Sequence, residues 1–263
     1  MTVTDFNYLK AAKLIKNARS IVILAGAGMS EDSGSKTYED SDELLRDFPE
    51  LQKEGITTYK EMAKAKWFAR KPHLAWVFAN HSIAGFQQNE PHQGYQILKS
   101  WVDAKHSGCV ITTNVDNAFY RSGFTRVFEL HGNHFHLQCI DNCTNTSWQR
   151  RESEVPAPRC PHCGKSARPN IMYFEDSHFC FGRYEKQSAD YRQLMEHTML
   201  TNPLAIEIGA GILLPRLRQE SLKFDNIIRI NPKSDADFGN ANTVHIQDSA
   251  LTAITRLDAL LNR

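Results

Sequence analysis

The apolar run Ile21-Val22-Ile23-Leu24 passes straight into Gly26-Ala27-Gly28-Met29-Ser30, and Cys109-Val110-Ile111-Thr112 passes into Thr113-Asn114-Val115-Asp116. An unbroken apolar run of this length is how a strand reads when both faces of a parallel sheet are covered. The residues just past the carboxyl ends of such strands form the rim where open α/β sheets bind ligands. At the first rim position, glycines let a backbone come close to a pyrophosphate. At the second, an amide and a carboxylate face the same crevice. The two strings together point to a nucleotide cofactor.

Further strand signals fall at Val127-Leu130, Leu204-Ile208, Ile227-Ile230 and Val244-Ile246. Helical patterns lie between them at Asp116-Arg121, Tyr184-Leu200, Pro215-Lys223 and Ser249-Leu261. This alternation predicts an α/β fold, a Rossmann-like doubly wound parallel sheet with helices on both faces. A helical, aromatic-rich tract interrupts it, in pieces at Asp42-Phe48, Thr58-Phe68, Pro72-Ala84 and Pro91-Ala104. Pro72 and Pro91 suit first helical turns. The stretch 134–176 also breaks the alternation and gathers four cysteines. The expected organisation is one unit over 1–263, with a Rossmann-like core (5–40, 91–133 and 177–263), a helical module (41–90) and a zinc-ribbon module (134–176).

Those four cysteines form two close pairs, Cys139-x3-Cys143 and Cys160-x2-Cys163. Two tight turns that each present two thiolates make a tetrahedral zinc site. Disulfides are the weaker reading, because Met1 to Lys16 lacks the continuous apolar stretch of a secretory signal. That leading segment reads as a docking helix of a cytoplasmic protein. Cys109 and Cys180 read as small core residues. His134, His136 and His162 lie near the cysteines and are expected at the surface or around the metal. A net charge of +1 gives no bulk electrostatic reason to bind nucleic acid or an anionic membrane. No run of 18 apolar residues is present to span a bilayer.

The glycine turn departs from the usual dinucleotide fingerprint, since Glu31 stands where the third glycine would be. No strand ending in an acid follows at the customary distance, which argues against an ordinary dehydrogenase. The ordered set of motifs is more specific. It runs Gly26-x-Gly28-x-Ser30-x2-Ser33-Gly34, Thr113-Asn114-Val115-Asp116, Glu129-Leu130-His131-Gly132, then the cysteine pairs. Arg168-Pro169-Asn170-Ile171-Met172-Tyr173-Phe174, Ile208-Gly209-Ala210-Gly211 and Ile230-Asn231 complete it. This order resembles the sirtuin family of NAD-dependent protein deacylases and ADP-ribosyltransferases, over about residues 10–250.

The resemblance implies that Gly26, Ala27, Gly28 and Ser30 line the phosphates of NAD. Thr113, Asn114 and Asp116 would hold the nicotinamide ribose and carboxamide. Gly209, Ala210 and Asn231 would flank the adenosine half, and Tyr38 would shield the reacting ribose. His131 would be the catalytic base, with Asn114 as its catalytic partner. An imidazole titrating near neutrality suits removal of a proton from a ribose hydroxyl. Ile171, Tyr173 and Phe174 would meet an acyl-lysine protein substrate. Cys139, Cys143, Cys160 and Cys163 would hold one structural zinc. The implied products are free lysine, nicotinamide and O-acyl-ADP-ribose.

Three departures mark this chain. The family's Ile-Pro-x-Phe-Arg is Ser35-Lys36-Thr37-Tyr38-Glu39, its Gln-Asn-x-Asp is Thr113-Asn114-Val115-Asp116, and its Phe-Gly-Glu is Phe174-Glu175-Asp176. Glu39 is expected to weaken NAD binding unless it is turned away or paired, for example with Lys36 or Arg46. The string Thr112-Thr113-Asn114-Val115-Asp116 and the following Gly123-Phe124 also resemble the macrodomain-associated branch, which favours ADP-ribosyl transfer; that branch lacks the histidine, whereas this chain keeps His131. ADP-ribosyl transfer to protein, NAD hydrolysis and a non-catalytic NAD-binding interaction protein are the alternative functions.

Overall fold

The computed structural model describes residues 3–36, 41–151, 157–211, 215–233 and 239–263. The chain runs through helix α1 (Val3–Asn17), strand β1 (Ser20–Ala25) and the one-turn helix α2 (Gly28–Glu31). Helices α3 (Ser41–Asp47), α4 (Tyr59–Met62), α5 (Lys66–Arg70), α6 (Pro72–Gln88) and α7 (Gln93–Asp103) follow. Next come β2 (Ser107–Thr112), α8 (Ala118–Arg121) and β3 (Val127–Glu129). β4 (Gly132–Cys139), β5 (Ser147–Gln149) and β6 (Ala167–Ile171) precede α9 (Gly182–Thr198) and β7 (Leu204–Ile208). α10 (Arg216–Ser221), β8 (Asn226–Ile230), β9 (Thr243–Ile246) and α11 (Ala250–Leu261) complete the described elements.

Six strands form one sheet in the order β3-β2-β1-β7-β8-β9, and every pairing in it is parallel. All six residues of β1 are buried, because neighbours cover both faces. Ile21, Ile23 and Ala25 pack with Tyr95, Leu98, Ile254 and Leu257 of α7 and α11, whereas Val22 and Leu24 pack with Met195 and Leu217 of α9 and α10. α1 joins the first layer through Tyr8, Ala11, Ala12 and Ile15, one stripe at helical spacing. The connections after β1 and β7 leave these neighbouring strands for opposite ends of the sheet. The boundary between β1 and β7 is therefore the switch point at whose carboxyl end open α/β sheets bind ligands.

A second sheet is antiparallel, in the order β5-β4-β6, and branches off directly after β3. Gly132 makes that branch possible. Its φ is +80°, and a Cβ there would lie 2.0 Å from the Asn170 carbonyl oxygen of β6. Leu44, Phe48, Leu51, Ile56, Met62 and Phe78 form a separate helical core, and Leu137 of β4 packs onto Phe68, Ala75, Trp76 and Ala79. Among the described residues no helix is long and apolar enough to cross a membrane.

The structure corrects several sequence expectations. The helix expected over 58–68 is two, α4 and α5, because the main chain between them pairs elsewhere. Phe174 donates its N–H to the Ala63 carbonyl at 2.9 Å, and Ala65 donates to the Phe174 carbonyl at 3.3 Å. Pro91 lies outside α7, whose N-cap is His92, whereas Pro72 does stand in the first turn of α6. The helix expected from Asp116 begins at Ala118, with the Asp116 carboxylate accepting the Ala118 N–H at 2.9 Å. His134 is not a surface residue: it is 5% exposed, and its main chain donates to the Val115 carbonyl at the opposite end of β4 from Cys139.

Candidate active site

The glycine turn after β1 and the turn after β7 meet backbone to backbone. Gly26 donates its N–H to the Ile208 carbonyl at 2.9 Å, and Gly28 donates to the Gly209 carbonyl at 3.1 Å. A Cβ on Gly26 would lie 2.5 Å from the Gly209 oxygen, so no side chain fits between the two turns. The Ala27 carbonyl accepts the Ser30 N–H, which winds the turn into α2.

Four side chains converge beside this turn. Ser30 Oγ lies 2.5 Å from Asp116 Oδ2, 3.0 Å from Asn114 Nδ2 and 2.9 Å from the Tyr95 hydroxyl. The Asn114 N–H is held by Thr112 Oγ1, whose own proton goes to the Ala25 carbonyl. Thr113 donates its N–H to the same Ala25 carbonyl, which keeps the string 113–116 at the end of β2. Burial pushes the Asp116 carboxyl above its ordinary range, against the Ser30 and Ala118 hydrogen bonds. A cavity of about 10 Å³, the size of one water molecule, opens beside Asp116 between Ser33, Phe86 and Arg121. Ser30 was expected to face phosphates, but its hydroxyl is engaged within the protein.

His131 follows β3 at the same rim, and its carbonyl accepts the Met172 N–H at 2.9 Å. Burial pushes its imidazole down to about 4. The Arg216 guanidinium adds to the fall, and a hydrogen bond with the Thr113 main chain opposes it. The sequence expectation of a near-neutral pKa is therefore corrected: the ring is neutral throughout the physiological range. Arg216 is exposed at the start of α10 and donates to the Tyr184 hydroxyl at 3.0 Å.

On the other bank, Asn231 donates to the Ala210 carbonyl at 3.0 Å while its own carbonyl accepts the Lys233 N–H. Arg218 reinforces this loop. It is 2% exposed and donates to the carbonyls of Ala210 at 3.1 Å and Gly211 at 3.2 Å. Neither Arg218 nor Tyr95 stood out in the sequence. Tyr95 reaches a residue 65 positions away, Arg218 holds carbonyls only seven and eight residues before it, and each has an ordinary helical reading.

Ile171 pairs with Gly132, so the segment Ile171–Phe174 runs from the His131 junction toward the helical module. Tyr173 packs on Phe68 with ring centroids 5.3 Å apart. Glu175 adopts φ +56°, the left-handed conformation for which glycine is the usual residue, and pairs with Lys64 at 2.7 Å. Arg168 Nη2 donates to both carboxylate oxygens of Asp176, each at 2.8 Å, and both side chains are buried. Tyr38 and Glu39 lie outside the described residues. Lys36, a suggested partner of Glu39, pairs with Asp47 at 2.6 Å and Glu43 at 3.4 Å.

The four cysteines come together as their spacing predicts. All four Sγ atoms lie within 4.8 Å of one another, and the Cys139–Cys163 and Cys143–Cys160 pairs are 3.6 Å apart. Such spacing fits four sulfurs around one tetrahedral ion at about 2.3 Å each. Burial alone would raise the Cys160 thiol, but main-chain hydrogen bonds at Cys163 and His162 bring it down to about 7. Cys109 and Cys180 are buried, as expected of core residues.

Comparison with known proteins adds three findings. The Sir2 family model matches residues 26–195. An NAD-dependent protein deacylase of Aeropyrum pernix is 31% identical over 165 residues, covering 63% of each chain. Another, of Aquifex aeolicus, is 32% identical over 161 residues, covering 60% of this chain and 62% of that relative. The chain thus spans less than two thirds of the length of these curated relatives. Among solved structures, a Sir2 homologue in complex with NAD superimposes with a TM-score of 0.75 at 22% identity, covering 96% of this chain and 93% of that one. Sir2 bound to acetylated peptide gives 0.70 at 20% identity, covering 99% and 98%. At these identities the solved structures establish the fold alone.

Proposed function

This chain belongs to the Sir2 family, and from that premise we propose that it is an NAD-dependent protein deacylase. It would release nicotinamide from NAD and move the acyl group of a modified protein lysine onto ADP-ribose. The observation that carries this reading is the convergence, at the carboxyl end of the sheet, of the Gly28–Gly209 turn contact, the Asn114 and Asp116 side chains joined by Ser30, and a neutral His131. NAD supplies an electrophilic anomeric carbon once nicotinamide leaves. The backbone of Gly26, Ala27 and Gly28 makes room for its pyrophosphate, while Gly209, Ala210 and Asn231 flank its adenosine half. Thr113 and Asn114 hold the nicotinamide ribose, and Asp116 accepts from the carboxamide.

His131 takes a proton from a ribose hydroxyl at its ring nitrogen. A base held near 4 is weak, and the negative pyrophosphate would raise it toward the range where proton transfer is efficient. Ile171, Tyr173 and Phe174 line the approach of the acyl-lysine, and Tyr38 shields the reacting ribose. The four cysteines hold one zinc away from the chemistry, because a closed four-thiolate site leaves no position for water. The division into a Rossmann-like core, a helical module (41–90) and a zinc-ribbon module (134–176) belongs to this same reading.

A second reading is ADP-ribosyl transfer to protein or water. Thr113 in the glutamine position and Glu175 in the glycine position favour it, as does the likeness of Gly123-Phe124 to the macrodomain-associated branch. Incubation with labelled NAD and an acetyl-lysine peptide, with the product identified by mass, tests both. O-acetyl-ADP-ribose supports deacylation, and His131→Ala should abolish it, since losing a general base costs about 10²–10⁴ in rate. ADP-ribosylated protein or free ADP-ribose alone would replace the deacylase reading with the second.

A further inference from the structure

The Ser30 hydroxyl sits at the centre of three contacts whose proton directions can all be assigned. An amide N–H can only donate, and a carboxylate can only accept. The single Ser30 proton therefore goes to Asp116, at 2.5 Å, and one Ser30 lone pair takes the Asn114 N–H, at 3.0 Å. Only the second lone pair is left for Tyr95, at 2.9 Å, so the Tyr95 hydroxyl is the donor. The other Asp116 oxygen takes the Ala118 N–H. Ser30 has no capacity left for a ligand and serves as a hub that sets Asn114 and Asp116 against each other.

The Tyr95 ring cannot drift. It is fully buried, with Phe119 edge-on at 4.9 Å and His92 at 5.0 Å between ring centroids. His92 is itself pinned, accepting the Gly94 N–H on Nδ1 and giving its Nε2 proton to the Met29 carbonyl. Burial and the Asp116 charge keep the Tyr95 phenol protonated, so its proton stays available to Ser30.

We infer that Tyr95 is a positioning residue for the nicotinamide end of the proposed NAD site, acting through Ser30 on Asn114 and Asp116. Donation into Ser30 polarises its hydroxyl and strengthens the bond it gives to Asp116. Helix α7 thereby sets the orientation of two ligand-facing groups from behind. The inference rests on the proposed function, because it presupposes that NAD occupies this rim.

The test is a double-mutant cycle of Tyr95→Phe and Ser30→Ala. It is read by calorimetric NAD affinity, by KM and kcat on an acetylated peptide, and by thermal melting. Phenylalanine keeps the ring packing, so only the hydroxyl is removed. Tyr95→Phe should weaken NAD binding about fivefold, equivalent to about 1 kcal/mol, with the loss falling on the KM for NAD rather than on kcat. In the Ser30→Ala background the same change should have almost no further effect. An unchanged affinity in Tyr95→Phe would overturn the inference, as would effects that simply multiply in the double variant. Lowered thermal stability with unchanged affinity would do the same, by making the hydroxyl purely structural. Wild-type protein that binds NAD without deacylating would sink the deacylase reading while the affinity cycle still decides this one. Wild-type protein that binds no NAD would sink both.

Discussion

Gly28 and Gly209 touch backbone to backbone just past the carboxyl ends of β1 and β7. A Cβ built on Gly209 would lie 2.5 Å from the Gly28 Cα, and Gly209 also has φ +58°. Gly209→Ala should therefore combine the strain of an L-residue at positive φ with overpacking against main chain. The two together amount to about 2–4 kcal/mol. Urea unfolding should report that loss, and calorimetry should show NAD affinity falling more than about tenfold. Gly211→Ala is the control, because a Cβ there meets nothing within 4 Å among the described residues. Equal effects of the two substitutions would mean that the close approach is unimportant.

The cysteine cluster makes a sharper demand on stability. β5 is three residues long, and of the described residues 157–166 only Pro158 and Cys160 are buried, so the metal has to supply order there. One zinc per chain is expected by elemental analysis. Cys160→Ala should release it and cost more than about 4 kcal/mol in denaturant unfolding. Wild-type protein that is folded and free of metal would remove the prediction.

Arg218 offers a separate handle on the adenosine bank. Its guanidinium donates to two main-chain carbonyls, and Ala210 keeps a second donor in Asn231 whereas no other bond to the Gly211 carbonyl is seen among the described residues. Arg218→Ala should remove one of two donors from the Ala210 carbonyl and leave the Gly211 carbonyl to solvent, at about 1 kcal/mol for each lost bond. NAD affinity should fall with stability, and Arg218→Lys should recover part of both. An Arg218→Ala protein with wild-type affinity would show that the loop holds itself.

Much of the architecture could be read from the chain because the strands are buried on both faces. Leu204–Ile208 reads as an uninterrupted apolar run except for Glu207, and its observed bounds are those expected. Glu207 is tolerated there because Arg229 on the next strand pairs with it at 2.6 Å. What could not be read depends on partners distant in sequence. α4 and α5 separate because Phe174, far along the chain, claims the main chain between them. The low pKa of His131 needs the burial and the Arg216 charge that only the fold brings to it. Tyr95 in an amphipathic helix reads as core, and its ring is core; only its hydroxyl reaches Ser30.

Three neutral histidines near the site predict how the fold responds to acid. Burial lowers His131 to about 4, His134 to about 3 and His136 to about 4. Each takes up its proton only on unfolding, where it titrates near 6.5, so the unfolded state binds more protons as pH falls. The stability they contribute is fully present above about pH 6.5 and is lost as pH drops toward their folded values. Each can add a slope of about 1.4 kcal/mol per pH unit in that window. Asp116 and Glu129, both raised by burial, act in the opposite sense and reduce the total slope. His134 isolates one contribution, because its buried Nδ1 has no hydrogen-bond partner among the described residues and Phe86 packs on its ring at 5.5 Å. His134→Leu should keep stability at pH 7.5 within about 1.5 kcal/mol, as expected of a swap of similar volume that removes an unpartnered buried Nδ1. Between pH 6 and pH 4 its unfolding free energy should fall less steeply than that of the wild type, by about 1.4 kcal/mol per pH unit. Urea titrations at pH 7.5, 6, 5 and 4.5 measure the difference directly. Parallel curves for the two proteins would mean that His134 already carries its proton in the folded state.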